Sequence, residues 1–394
     1  MALAERVAAL APSPTMALDA KTKALISQGL DVVNLTAGEP DFDTPAHIRQ
    51  AAQEAMNRGE TRYTPVGGTP RLKAAICDRM RAEIGIEYRP EEVLVSVGAK
   101  HSLFNAMMAL ISPGDGVLLP VPYWVTYPEQ IRLAGGTVQF VPIAPEHQNV
   151  LTADDIRRVL TPETRGLIVN SPSNPSGAVI GRAQLQEIAA LAVERDLWVI
   201  SDEIYARLVY DGIDAPSIAQ FEGMRDRTIV VNGVSKAYAM TGWRIGYALG
   251  PQHVIQAMAN LQSQSTSNPT SVAQAAAEAA LTGPQEPVDE MRREFDRRRR
   301  YAVSRIQSIP GLEVHEPKGA FYLWVSMAAL VGRTLRGRTI RNADDLALAW
   351  LEEANVSVVP GSGFGVPDHF RMSYATSLER LEVGLDRMEA LLGE

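Results

Sequence analysis

The 394-residue sequence predicts an α/β fold: a mostly parallel central sheet covered by helices, with a smaller α+β domain attached. Three observations predict it. From about residue 45 to residue 280, short β-rich runs alternate with helical patterns, the order that winds a parallel sheet. Those runs are apolar almost without interruption, as strands buried on both faces must be. After about residue 285 the texture changes to helices set apart from short strands. The length calls for more than one core, since domains centre on about 150 residues. The boundaries expected are 1–44 for an N-terminal arm with part of the small domain, 45–285 for the large domain and 286–394 for the small C-terminal domain.

Taken in order, "TPAHIRQAAQEAM" opens the helical patterns, and "EEVLVSVG" is a buried strand that runs through a glycine turn into the helix "AKHSLFNAMMALI". "GVLLPV" precedes the helical "TYPEQIRLAGG", and "RGLIVNSP" precedes "AQLQEIAALAVERD". "LWVISDE" and "RTIVVNG" follow as further strands. Beyond them come a charged helix over roughly 288–307, "GLEVHEPKGAFYLWVS", a helix around "ADDLALAWLEEA", the stretches "VSVVPGSGFG" and "HFRMSYATS", and a final amphipathic helix. The basic run "RREFDRRRR" reads as a solvated helix face balanced by Glu294 and Asp296.

Composition excludes several classes. A net charge of -8 leaves no basic surplus to neutralise phosphates, so a nucleic-acid partner is not expected. The single cysteine, Cys77, allows neither an internal disulfide nor a thiolate zinc cage and fits a reducing compartment. The first residues, "MALAERVAALAPSPTMALDAKTKAL", are interrupted by Glu5, Arg6 and two prolines, so neither a signal peptide nor a membrane span is expected there. The expected location is cytoplasmic.

Polar residues gather where the strands end. Asn174 falls in the turn after "RGLIVNSP", Asp202 ends "LWVISD" with Tyr205 three residues on, and Ser235 and Lys236 lie just past "RTIVVNG". In sheets of this kind ligands bind just beyond the carboxyl ends of the strands. An aspartate ending a buried strand is expensive unless a cation or donor meets it. Lys236 sits among small, apolar and aromatic residues in "NGVSKAYAMTGWRIGY"; taken alone it reads as an ordinary structural or surface lysine, and only the set around it argues for more. Pyridoxal phosphate wants such a set: a lysine to bond, a carboxylate for the pyridine nitrogen, donors for the phenolic oxygen and an anion site for the phosphate. Gly98, Ala99 and Lys100, at a glycine turn opening a helix, suit that anion, with Ser235 and Arg244 as further donors. Taken singly, the turn reads equally as a turn and Arg244 as an ordinary ion pair.

Together with "LTAGEPDFDTP", "RYTPVGGTPRLKAAI", "PYWVTYPE", "GAFY" and "RMSYATS", these motifs run in order from about residue 12 to the C-terminus. The chain closely resembles the class I pyridoxal-phosphate-dependent aminotransferases, in particular the bacterial aspartate aminotransferase branch. The resemblance implies a fold-type-I transferase in which Lys236 bonds the cofactor and shuttles a proton, and Arg244 holds its phosphate. It further implies that Asp202 pairs with the ring nitrogen, that Tyr205 and Asn174 bind the phenolic oxygen, and that Trp124 stacks on the ring. Tyr63 resembles the tyrosine that reaches the phosphate of a neighbouring subunit, implying a homodimer with shared active sites. Arg371 resembles the arginine that clamps the substrate α-carboxylate, joined by the backbone of Gly38 and by Asn174. The implied reaction is a two-stroke, ping-pong transfer of an amino group from an amino acid to a 2-oxo acid.

For the side-chain pocket, "LQSQSTSNPT" lacks the arginine that some aspartate aminotransferases place there, while Lys100 in "VGAK" matches a lysine that this branch associates with acidic substrates. Aspartate and glutamate are therefore the expected substrates, with 2-oxoglutarate and oxaloacetate as acceptors. An aromatic or other specialised aminotransferase is the nearer alternative, and a carbon–sulfur lyase the more distant one. The pattern departs from the family at two places. Ala11 in "LAPSPT" stands where prephenate-accepting relatives carry a lysine, and Gly233 stands where a phosphate-binding serine is usual.

Overall fold

The computed structural model describes residues 2–8, 10 and 14–393; Ala11 lies outside the described residues. A seven-stranded sheet runs in the order Val93–Val97, Ile245–Leu249, Thr228–Gly233, Trp198–Asp202, Thr164–Asn170, Gly116–Val121, Thr137–Pro142. From Thr228–Gly233 to Thr137–Pro142 every neighbouring pair is parallel. Ile245–Leu249 runs antiparallel to both of its neighbours. It has to, because residues 234–244 are too short for the crossover of a dozen or more residues that a parallel return needs.

Both faces are covered, which is why the strands read as continuous apolar runs. Ile168, Ile200 and Val231 pack with Leu103 and Met107 of the helix Ala99–Leu110. Leu167, Val169 and Val199, one residue out of phase, pack with Leu185 and Ile188 of Arg182–Glu194. Full burial of each such side chain contributes about 1.5–3 kcal/mol. The alternation therefore commits the register of every strand.

A second, four-stranded antiparallel sheet has the order Val359–Pro360, His369–Ser373, Tyr322–Ser326, Glu313–Val314. Trp324 stands opposite Arg371 in it. The N-terminal segment joins this part of the chain: Val33–Asn34 pairs parallel with Val356–Ser357, and Ser373 N donates to Leu35 O at 2.8 Å. Residues 34–39 are thereby led between the two sheets. Among the described residues no helix is long and apolar enough to cross a membrane.

The basic helix, Glu286–Ser308, corrects one expectation. Arg298 and Arg299 are not solvated; they are 6% and 0% exposed. Arg299 donates to both oxygens of Asp211, at 3.0 and 2.6 Å, and to Pro317 O at 2.8 Å. Arg298 reaches Asp41 at 2.8 Å. Hydrogen bonds from Arg299 hold the Asp211 carboxyl well below the usual carboxylate range. The local partners expected from spacing are used, Arg298 donating to Glu294 at 2.9 Å and Arg299 to Asp296 at 2.8 Å, but burial is made tolerable by the further partners Asp41, Asp211 and Pro317 O, which come from elsewhere in the chain.

Candidate active site

The strands Thr164–Asn170, Trp198–Asp202 and Thr228–Gly233 end at a cleft of about 620 Å³, whose opposite wall carries Tyr322, Val359 and Arg371 of the smaller sheet. Gly38, Ala99, Lys100, Trp124, Asn174, Asp202, Tyr205, Ser235, Lys236, Arg244 and Arg371 all line it. Gly98 lies just behind, against Arg244. Tyr63 stands apart, 92% exposed and outside the cleft of its own chain.

Lys236 lies three residues past the end of Thr228–Gly233. Its Nζ donates to Gly38 O and lies 5.8 Å and 5.9 Å from the ring centres of Tyr205 and Phe321. Burial, helped by the charges of Arg371 and Arg244, pulls its ammonium from 10.5 down to about 8. A useful share of the amine is then unprotonated and nucleophilic just above neutral pH.

Asp202 is buried at the end of the adjacent strand. It accepts from Tyr127 OH at 2.8 Å and from Ile204 N at 3.2 Å. Burial pushes its carboxyl from 3.8 up to about 6 against the pull of those two hydrogen bonds and of Lys236. Such a group gains from a cationic N–H brought to it from the cleft. Tyr127 belongs to the "PYWVTYPE" motif, but nothing in its spacing points it at Asp202; burial and the Asp202 charge raise its phenol well above the usual range, so it stays a donor.

The anion side is built on backbone. Gly98 (φ +81°) turns the chain from Val93–Val97 into Ala99–Leu110, and no side chain caps that helix. Its first N–H groups have no partner within the helix. A Cβ on residue 98 would come within 2.5 Å of the Arg244 guanidinium, so glycine is what lets that charge lie against the helix entrance. Arg244 is itself in the left-handed region (φ +57°), with Nη1 donating to Thr241 O at 2.9 Å. Non-glycine backbone of this kind stores about 1–2 kcal/mol. At Gly233 a Cβ would sit 3.0 Å from Gly246 Cα and from Ile245 O, so a side chain there would need the return strand to give way slightly.

On the other wall, Arg371 Nη1 donates to Asn174 Oδ1 at 3.0 Å and Nη2 to Thr36 O at 2.8 Å. Its Nε is buried and finds no acceptor among the described residues. The guanidinium lies 4.4 Å from the centre of the Tyr322 ring, and Tyr322 OH pairs with Tyr205 OH at 2.9 Å. Tyr322 belongs to the "GAFY" motif, but its contacts, like those of Tyr127, show only in three dimensions. Lys100 Nζ stands 4.8 Å above the Trp124 ring, and burial followed by the Arg244 charge lowers its ammonium below the ordinary range. Glu39, a further residue that spacing does not single out, accepts from Thr241 Oγ1 at 2.7 Å.

An activated lysine, a buried carboxylate and a glycine-made anion cradle at the strand ends define a class: a pyridoxal-phosphate enzyme on a doubly covered α/β sheet. The residues present fit that cofactor: the lowered amine of Lys236, the buried carboxyl of Asp202 and the uncapped helix entrance beside Arg244 would each meet a complementary part of it. The chain belongs to the aminotransferases of class I and II, which it matches over residues 30–388. It is 46% identical over 388 residues to the aspartate aminotransferase of Bacillus sp. strain YM-2, covering 98% of each chain. It is 45% identical over 391 residues to the aspartate/prephenate aminotransferase of Cereibacter sphaeroides, again covering 98% of each. The aspartate aminotransferase structure from Rhizobium meliloti superposes with a TM-score of 0.97 at 43% identity, covering 100% of this chain and 99% of that one. The Thermus thermophilus aspartate aminotransferase with maleate superposes at 0.94, also at 43% identity, covering 99% and 100%. The chain is thus a pyridoxal-phosphate-dependent aminotransferase. None of these relatives is named as a lyase, and that alternative is set aside.

Proposed function

We propose that the chain moves the amino group between aspartate or glutamate and 2-oxo acids, with 2-oxoglutarate and oxaloacetate as partners. The observation that carries this is the placing of two of the cleft's cations: Arg371, buried with an Nε that finds no acceptor among the described residues, and Lys100 over Trp124. A dicarboxylate offers one carboxylate to each. The names of the relatives support the same choice, as does the maleate held by the Thermus enzyme.

Pyridoxal phosphate, when bound, supplies a ring that withdraws electrons from the α-carbon of the substrate. Lys236 would hold it covalently, Asp202 would face its ring nitrogen, and Tyr205 and the free amide hydrogens of Asn174 would meet its phenolic oxygen. Arg244, Ser235 and the N–H groups of Ala99 and Lys100, behind Gly98, would hold the phosphate, with Trp124 against the ring. Arg371, Gly38 and Asn174 orient the α-carboxylate; the fork of Arg371 matches its plane. With the cofactor in place, the Lys236 Nζ would be the base that takes the substrate α-proton and the acid that gives it back, and an amine near neutral pKa suits both transfers.

The chain would act as a homodimer in the cytoplasm, Tyr63 completing the phosphate site of its partner. The exposure of Tyr63 outside its own cleft supports the shared site. We place the domain divisions at 44/45 and 285/286, supported by a large sheet lying wholly within 93–249 and by a helix that starts at Glu286. The test is the absorption spectrum of the holoprotein with L-aspartate and no acceptor. The visible band should vanish and return with 2-oxoglutarate. A band indifferent to aspartate and glutamate but responsive to another amino acid would overturn the substrate.

A further inference from the structure

Two glutamines outside the cleft, Gln262 and Gln274, are completely buried, and both hold the loop that carries Tyr63. Gln274 Nε2 donates to Thr64 Oγ1 at 3.0 Å and to Pro269 O at 2.8 Å, and its Oε1 accepts from Thr69 N at 2.8 Å. Gln262 Nε2 donates to Val66 O and to Val95 O, both at 2.8 Å. Its Oε1 accepts from Ser96 Oγ at 2.7 Å and from Asn105 Nδ2 at 3.0 Å. On the near side of Tyr63, Ser271 Oγ donates to Glu60 O at 2.6 Å. Gly68 (φ +104°) lays the loop flat on the sheet, where a Cβ would come within 2.5 Å of Val95 Cγ2.

Burying an amide is costly unless its donors and acceptor are all met. Here three of the partners, Thr64, Val66 and Thr69, lie in one surface loop, and surface loops ordinarily do without such bracing. What this loop displays is Tyr63, 92% exposed. The bracing sets where that side chain points away from its own subunit.

We propose that Gln274 is a positioning residue for the cofactor-phosphate site of the partner subunit: it fixes residues 64–69 so that Tyr63 meets the second copy in the right place. This rests on the shared-site dimer proposed above. Gln274 acts in trans, because its contacts lie in the Tyr63 loop and at the entrance of its own helix, Ser271–Thr282. Gln262 also touches Ser96 and Asn105, beside the Gly98 turn of its own chain, and so acts on both sites.

The test uses reconstitution of cofactor-free dimers with pyridoxal phosphate, read by the visible absorbance that only a site with Lys236 gives. Gln274→Leu keeps the volume and removes the amide, and the homodimer should bind about tenfold more weakly. Two hybrid dimers then separate the roles. When one chain carries Gln274→Leu and the other Lys236→Ala, the remaining lysine site is served by an intact loop, and its affinity should return to that of the unmutated dimer. When both substitutions sit on one chain opposite an unmutated partner, the lysine site is served by the altered loop and should stay about tenfold weak. Equal affinities in the two hybrids, or full affinity in the Gln274→Leu homodimer, would overturn the proposal. Thr64→Val, which removes the loop side of the same bond, carries the same expectations if Gln274→Leu does not fold. If the unmutated dimer gives no band at all, the proposed function fails as well, and that outcome is visible separately.

Discussion

Replacing Lys236 by methionine should make the cofactor-free protein more stable while abolishing turnover. Burial lowers the Lys236 ammonium from 10.5 to about 8, so at neutral pH the folded protein bears a cost of about 3 kcal/mol. Methionine has a similar reach, carries no charge and suits the rings of Tyr205 and Phe321. The hydrogen bond to Gly38 O is lost, at about 1 kcal/mol, and water in the cleft can replace it. The expected net gain is about 2 kcal/mol. Its pH dependence is the sharper check. Between about 8 and 10.5 the unfolded lysine keeps a proton that the folded one has lost. The unfolded chain then binds more protons, so in that window Lys236 makes the unmutated protein more stable as pH rises, by about 1.4 kcal/mol per unit. Methionine does not titrate. The advantage of Lys236→Met should therefore be full below about pH 8, cancelled near about pH 9.5 and turned into a deficit of about 1 kcal/mol by about 10.5, measured by denaturant unfolding of both cofactor-free proteins across that range. A less stable variant at neutral pH, or a gap that ignores pH, would refute the reasoning.

Arg371→Ala should lower kcat/KM for aspartate by about a hundredfold or more, through loss of charge-assisted bonds worth about 1.5–3 kcal/mol each; steady-state kinetics checks this, and the cofactor spectrum should stay in place. Asp202→Asn should lower kcat by roughly a thousandfold without lowering the melting temperature of the cofactor-free protein, because burial already pushes that carboxyl toward its neutral form. Capture of added cofactor should quicken as pH rises through about 8, since the neutral Lys236 amine is the nucleophile. In Arg371→Ala that profile should move to higher pH, because one of the charges that lower the Lys236 ammonium is gone; stopped-flow absorbance reads both. Lys100→Met should cut the preference for aspartate over an uncharged amino acid by about tenfold, measured as a ratio of kcat/KM values.

Strand ends were legible along the chain because a polar residue closing a buried apolar run is an anomaly that sequence displays. Asn174, Asp202 and Lys236 each follow such a run, and the structure brings them to one cleft. Tyr127 and Tyr322 gave no such signal. One is an aromatic residue in a helix and the other lies in a strand of a different sheet, and only packing turns them toward Asp202 and Tyr205. The antiparallel strand Ile245–Leu249 was hidden in a motif rich in functional residues, and the burial of Arg298 and Arg299 was hidden because Asp41 and Asp211 are remote in sequence.

What the sequence determined by itself is whatever depends on neighbours along the chain: the apolar periods that make strands and helices, the glycine at 98 that opens a helix to an anion, and the residue types that this chemistry requires. What only the tertiary structure decided is whatever depends on distance and on exclusion of water. It sets the lowered ammonium of Lys236, the donor on Asp202, the crowding at Gly233 and the outward display of Tyr63. Dielectric environment and close contact belong to groups brought together by folding, and no short-range pattern in the chain encodes them.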